Sequence, residues 1–133
     1  MSIEPKQSPV LPIFASTDAG ANVYRTLGDF LGDAEPVDIE NGEWTAFDAV
    51  GYELNLSVEE GLVTIRVASV AEPGRLAEWL RGSLSLLRRS DEQWLRNATL
   101  PDLVTAYVEE DDKWRETLVS TRIRRWLSKL VAR

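Results

Sequence analysis

Histidine and cysteine are both absent from the 133 residues, and methionine occurs once. Without cysteine there is no disulfide framework, thiolate nucleophile, iron–sulfur site or Cys-based zinc site. Without histidine there is no imidazole base and no metal site built on His. Long hydrophobic runs are missing as well. The longest apolar-leaning stretch, Val10 to Ala15, contains Pro12 and is far too short to cross a bilayer. The opening Met1-Ser2-Ile3-Glu4-Pro5-Lys6 has an early acid and no signal-peptide core behind it. No P-loop, Gly-rich dinucleotide fingerprint, Ser-x-x-Lys or Gly-x-Ser-x-Gly setting occurs. Together these absences point to a cytoplasmic protein that is no enzyme, needs no cofactor and works by binding.

What the chain does contain is enough for one folded domain. Apolar residues make up 44% and charged residues 28%, a globular balance at a length that buries a real core. Residues 1–15 carry Pro5, Pro9 and Pro12 and read as an extended or mobile arm; residues 16–133 read as a single α+β domain. A first helix is predicted from Ser16 or Thr17 as N-cap to Gly32, with Val23, Tyr24, Leu27, Phe30 and Leu31 on one stripe. An acidic loop follows over residues 33–43. Glu43–Val50 reads as a first strand, and Tyr52–Val58 and Val63–Val67 alternate as two more, joined by a three-residue link, Glu59-Glu60-Gly61, with a bulge. This antiparallel three-stranded meander has one apolar face and needs two or three helices packed against it. The next helix starts at Glu72-Pro73, buries Leu76, Leu80, Leu84 and Leu87, and breaks at Ser90-Asp91.

Residues 103–123 admit two readings. Thr99 and Asp102 are spaced as a capping box ahead of Leu103, Val104, Tyr107 and Val108, which suits a helix. Val104–Glu109 and Trp114–Ile123 are instead rich in β-branched and aromatic residues around the polar Glu110-Asp111-Asp112-Lys113, which suits a C-terminal hairpin extending the sheet and is favoured slightly. A helix from near Arg122 closes the chain in either case, with Ile123, Trp126, Leu127 and Leu130 towards the core.

Charge is uneven. Residues 113–133 hold seven basic side chains and one acid, a net +6, while residues 1–112 sum to −13. The tail either neutralises the body and suits the end of a helix, or forms a basic contact surface. Nucleic acid is disfavoured as a partner, because an acidic body opposes phosphate at long range. Runs of acids such as Glu109–Asp112 do not converge on a cation when they lie consecutively in a turn, and Asp38-Ile39-Glu40-Asn41-Gly42 departs from a calcium loop at its glycine and at Ala49. The acids Glu40, Glu43, Glu53, Glu59, Glu60, Asp111 and Asp112 are therefore candidates for contact with a partner protein. Trp79, at the edge of the Leu76/Leu80/Leu84 stripe, is the candidate aromatic anchor among five tryptophans.

On the hairpin reading the order is helix, three strands, helix, two strands, helix. In that order, in length and in acidity, residues 16–133 resemble the class I chaperones of bacterial type III secretion and the related YbjN-like proteins. Leu27-Gly28-Asp29-Phe30-Leu31-Gly32 looks like the Leu-Gly-x-x-Leu-Gly run that closes their first helix. The resemblance implies a homodimer that holds a secreted effector in extended form on apolar patches. The competing expectation is an acidic immunity protein or antitoxin-type inhibitor that sequesters a basic toxin such as a nuclease, with charge complementarity speeding association.

Overall fold

The structure, a computed structural model, describes residues 8–17, 20–87 and 92–131, and of residues 87 and 118–131 the backbone alone. Two strands come first, β1 (Ile13–Thr17) and β2 (Gly20–Tyr24), followed by two short helices, α1 (Leu27–Asp33) and α2 (Pro36–Glu40). Then come β3 (Thr45–Phe47), β4 (Tyr52–Glu59) and β5 (Leu62–Ala71), and finally α3 (Pro73–Leu87), α4 (Glu92–Asn97) and α5 (Leu100–Val131). The strands form one antiparallel sheet in the order β2-β1-β3-β4-β5. The chain is α+β, as its sequence predicts, but the meander is extended by an N-terminal hairpin and not by a C-terminal one.

The first correction concerns residues 13–24. They are not an arm running into a helix; Ile13, Phe14 and Ala15 are buried in β1, which pairs with both β2 and β3. The supposed helical stripe fails because alternate residues face opposite layers. Phe14, Val23 and Phe47 pack with α3, α4 and α5, whereas Ile13, Ala15, Tyr24 and Ala46 pack beneath Phe30 of α1 with Leu54. Gly20, at φ +131°, is also outside helical space. The helix begins only at Leu27, where Thr26 caps it by accepting from the Asp29 amide at 3.1 Å. The acidic loop likewise contains a helical turn, α2, with Pro36 in its first position.

The second correction concerns residues 103–123. No hairpin forms there: residues 100–131 are one continuous helix, about 48 Å long at 1.5 Å per residue. The capping box is made reciprocally, with Thr99 N donating to Asp102 Oδ2 at 3.3 Å and Asp102 N to Thr99 Oγ1 at 3.4 Å. The polar residues expected in a turn instead pair along the helix, Glu110 with Lys113 at 3.5 Å and Asp111 with Arg115 at 2.8 Å. The expected inward packing of Ile123, Trp126, Leu127 and Leu130 and the break at Ser90-Asp91 lie outside the described residues. No described helix is long and apolar enough to cross a membrane.

The β4–β5 hairpin and α3 fall where the sequence places them. The link is tighter than predicted: Glu59 pairs with Leu62, leaving a two-residue turn, Glu60 (φ 53°) and Gly61 (φ 78°), both in the left-handed region. That is the geometry of a type I′ turn, whose twist matches the strands.

A single carboxylate ties these pieces together. Asp48 is 1% exposed. Its Oδ1 accepts from the amides of Val50, Gly51 and Tyr52 at 3.0, 3.1 and 3.0 Å, and its Oδ2 accepts from the Val10 amide at 3.0 Å. In the same turn Gly51 has φ +104°, and a Cβ there would stand 2.7 Å from the Pro73 Cα. Asp48→Ala should destabilise the fold by about 3 kcal/mol or more, because it strands four amides that a charged acceptor now satisfies. Asp48→Asn should cost less, about 1–3 kcal/mol, since its carbonyl keeps three partners while its NH2 opposes the Val10 amide. Urea unfolding followed by tryptophan fluorescence measures both, and equal stability of all three proteins would refute the assignment.

Candidate interaction surface

The two faces of the sheet are covered unequally. On one side α3, α4 and α5 bury Leu76, Leu80, Leu84, Leu95, Leu103 and Tyr107 against Phe14 and Phe47. The spacing Leu76, Leu80, Leu84 is a stripe at every fourth residue, which α3 must turn inward. Trp79 belongs to this layer: its ring meets Phe14 edge-on at 6.1 Å and lies 5.8 Å from Tyr107. It is half-buried at the core boundary, so its contacts are internal. Among the described residues the tryptophans with more open surface are Trp94 and Trp114, the latter 62% exposed on α5.

On the other side, among the described residues, only the short α1 and α2 provide cover. An aromatic trio anchors them: Phe30 meets Tyr24 edge-on at 5.4 Å and Trp44 edge-on at 5.6 Å. The Tyr24 hydroxyl donates to Asp33 Oδ2 at 2.6 Å, fastening the end of α1 to β2. Beyond this patch the apolar face of the hairpin continues. Leu56, Ile65 and Val67 pack only partly at its margin together with Trp44, and Val58 and Val63 are half-buried on the same face. Leu27 and Leu31 of α1 and Val37 of α2 are exposed along the cover itself.

The seven acidic candidates do not form one patch. Helix α2 packs on β4 and touches β5, which puts Glu40 and Glu43 on the side of the hairpin whose tip carries Glu59 and Glu60. Glu53, on the opposite face of β4, is held by Arg75 at 3.2 Å, and Arg75 lies over the Phe47 ring at 5.0 Å. Asp111 pairs with Arg115, and Asp112 pairs with Arg25, next to β2 at the far edge of the sheet. Three strand spacings of about 4.8 Å separate β2 from β4, so these acids cannot act jointly with Glu59 and Glu60 on a small contact. Lys113 and Arg115 from the basic tail are spent on neighbouring acids of α5.

Among the described residues no group of three or more acidic side chains could hold a metal ion, and no buried side-chain polar atom lacks a partner. An open depression of about 330 Å³ lies between α3 and α4 and is lined by Arg81, Gly82, Ser85, Glu92, Leu95 and Arg96. Arg81 there is committed to structure: its guanidinium donates to the carbonyls of Leu95 and Ala98 at 2.8 and 3.1 Å, closing the end of α4. Comparison with protein-family models, curated proteins and solved structures finds no match to this chain.

Burial, reinforced by the hydrogen bond to Asp33, pushes the Tyr24 phenol well up, and burial with Asp111 nearby pushes Tyr107 up as well. A phenol whose ionisation is raised by folding stabilises the protein fully below its unfolded value near 10, and that contribution is lost as pH rises through the folded value. Absorbance at the tyrosinate band should therefore show delayed ionisation, with unfolding once pH passes well above 10. Tyr24→Phe should remove one delayed phenol and loosen α1, and an unchanged titration curve would contradict the Tyr24–Asp33 bond.

Proposed function

We propose that the chain is a non-enzymatic, cytoplasmic protein-binding module that holds a partner protein through apolar and acidic surfaces, in the manner of a secretion chaperone. The observation that carries this reading is the apolar face of the β4–β5 hairpin running past its helical cover, with Leu27, Leu31 and Val37 exposed beside it. Contiguous apolar surface of this kind, rimmed by polar groups, marks protein contact sites. The rim is acidic: Glu40 in the cover and Glu59 and Glu60 at the hairpin tip are exposed. The observed element order differs from that of the class I chaperones, so the proposal rests on the surface and not on topology.

The same rim supports a second reading, an acidic immunity protein or antitoxin-type inhibitor of a basic toxin. The two differ in what dominates the contact. An apolar grip leaves affinity nearly constant with salt, whereas charge-driven capture weakens steeply. Affinity capture from the native cell, repeated with Leu31→Lys/Val37→Lys and with Glu40→Lys/Glu59→Lys/Glu60→Lys, distinguishes them. The chaperone-like reading expects one retained protein whose binding falls at least about tenfold in the first variant and little in the second. The inhibitor reading expects the reverse, with strong salt dependence. Retention indifferent to both variants, or turnover of a substrate by the purified chain, would sink both.

A further inference from the structure

The two edges of the sheet are treated differently. At β2 the edge is short, five residues, and Arg25 just beyond it is paired to Asp112 of the long helix α5. At the other edge β5 runs for ten residues and, among the described residues, pairs with β4 alone. It holds no proline and no lysine, and its single charge is Arg66. Edge strands are ordinarily blunted by brevity, bulges, proline or inward charge, because an open row of amides and carbonyls invites another strand. The only irregularity in β5 falls towards its end, opposite Tyr52/Leu54.

The turn geometry fixes which groups are open. In a two-residue hairpin the closing pair Glu59–Leu62 is hydrogen-bonded, so Ser57–Thr64 and Asn55–Arg66 are bonded too. The amides and carbonyls of Val63, Ile65 and Val67 therefore point away from β4. Those same residues carry their side chains on the half-covered apolar face. On the opposite face, Leu62 at the start of β5 is 70% exposed and Val70 near its end is 71% exposed.

We propose that β5 pairs antiparallel with β5 of a second copy of this chain about a two-fold axis near Ile65, joining the two sheets into one of ten strands. The pattern of β5 is self-complementary in that arrangement. Ile65 faces its own copy, Val63 faces Val67 of the partner, and the apolar faces of the two hairpins become continuous. On the other face Leu62 of each chain comes beside the 68–70 segment of the other, covering the two apolar residues that a single chain leaves most open in its sheet. Arg66 falls opposite Thr64 and not opposite another charge, and the tip acids Glu59 and Glu60 fall opposite Ala71 and Val70. An acidic rim meeting itself head-on would oppose association; this register avoids that.

The inference is independent of the protein-binding reading, since self-association and partner capture are measured separately. Equilibrium sedimentation of the full chain at tens of micromolar should give the mass of two chains, and hydrogen exchange should show the Val63, Ile65 and Val67 amides protected in a concentration-dependent way. Leu62→Lys/Ala68→Lys puts like charges directly opposite each other across the axis, on the sheet face away from Ile65, and should weaken the dimer at least tenfold. Leu62→Lys/Ala68→Glu puts opposite charges there and should restore it. A monomer throughout this range overturns the proposal. So does a dimer indifferent to both variants, or a monomer whose β5 amides become protected only when a different protein binds.

Discussion

Asp48 holds four backbone amides in a site with 1% exposure, and most of the architecture depends on where those amides come from. Three belong to the turn that sends the chain from β3 into β4. The fourth, Val10, belongs to the segment entering β1, and the Ala49 amide returns a bond to the Val10 carbonyl at 2.9 Å. One carboxylate therefore sets the β3–β4 turn and docks the N-terminal segment against it. That is how β1 comes to lie beside β3, with β2 outside it. The turn also reaches the helical layer. Glu72 N donates to the Gly51 carbonyl at 2.9 Å, and the missing Gly51 side chain lets Pro73 close in, so α3 leaves the sheet at a fixed place.

With β1 placed inside the sheet, both of its faces must be buried, and the two layers follow from that. Phe14 looks to α3 and α5, while Ile13 and Ala15 look to α1. The layers are unequal in means. Three helices including a 32-residue one serve the first face, and twelve helical residues in two pieces serve the second. Cover therefore runs out over β4 and β5 on the α1/α2 side. The half-buried state of Leu56, Ile65 and Val67 is a consequence of chain allocation between the layers, not of any polarity in the strands themselves.

The sequence is legible where one period dominates. Strict alternation gives β4 and β5, a four-residue leucine spacing gives α3, and Thr99 with Asp102 marks the start of α5. It misleads where two periods coincide. Val23, Tyr24, Leu27, Phe30 and Leu31 satisfy a helical stripe, yet Val23 and Tyr24 are neighbours in a strand buried on both faces, and a doubly buried strand has no alternation to display. In residues 104–117 β-branched and aromatic content suggests strands, but tertiary contact of Leu103, Ala106 and Tyr107 with α3 overrides that propensity. The acidic candidates show a different limit. Composition identifies Glu53, Asp111 and Asp112 as acids but not that Arg75, Arg115 and Arg25 neutralise them, because those partners lie on the other sheet face, along α5 and beyond β2. Asp48 has no sequence signature beyond its place before a glycine turn.

Net charge is therefore a poor guide to where this protein makes contact. Three of the seven candidate acids are engaged with arginines, two basic groups of the tail are engaged with acids of α5, and the exposed Glu40, Glu59 and Glu60 lie at the β4–β5 end of the sheet. Surface ion pairs of this kind contribute little to stability, commonly under about 1 kcal/mol. Their effect is to neutralise Asp112 beside β2, Asp111 along α5 and Glu53 on β4, while Glu59 and Glu60 at the hairpin tip stay exposed. The same β4–β5 end has the uncovered apolar face and the open strand. Three independent features, packing, backbone pairing and charge, thus coincide on one hairpin, although each arises from a different part of the chain: the shortness of α1 and α2, the length of β5, and the positions of Arg25, Arg75 and Arg115.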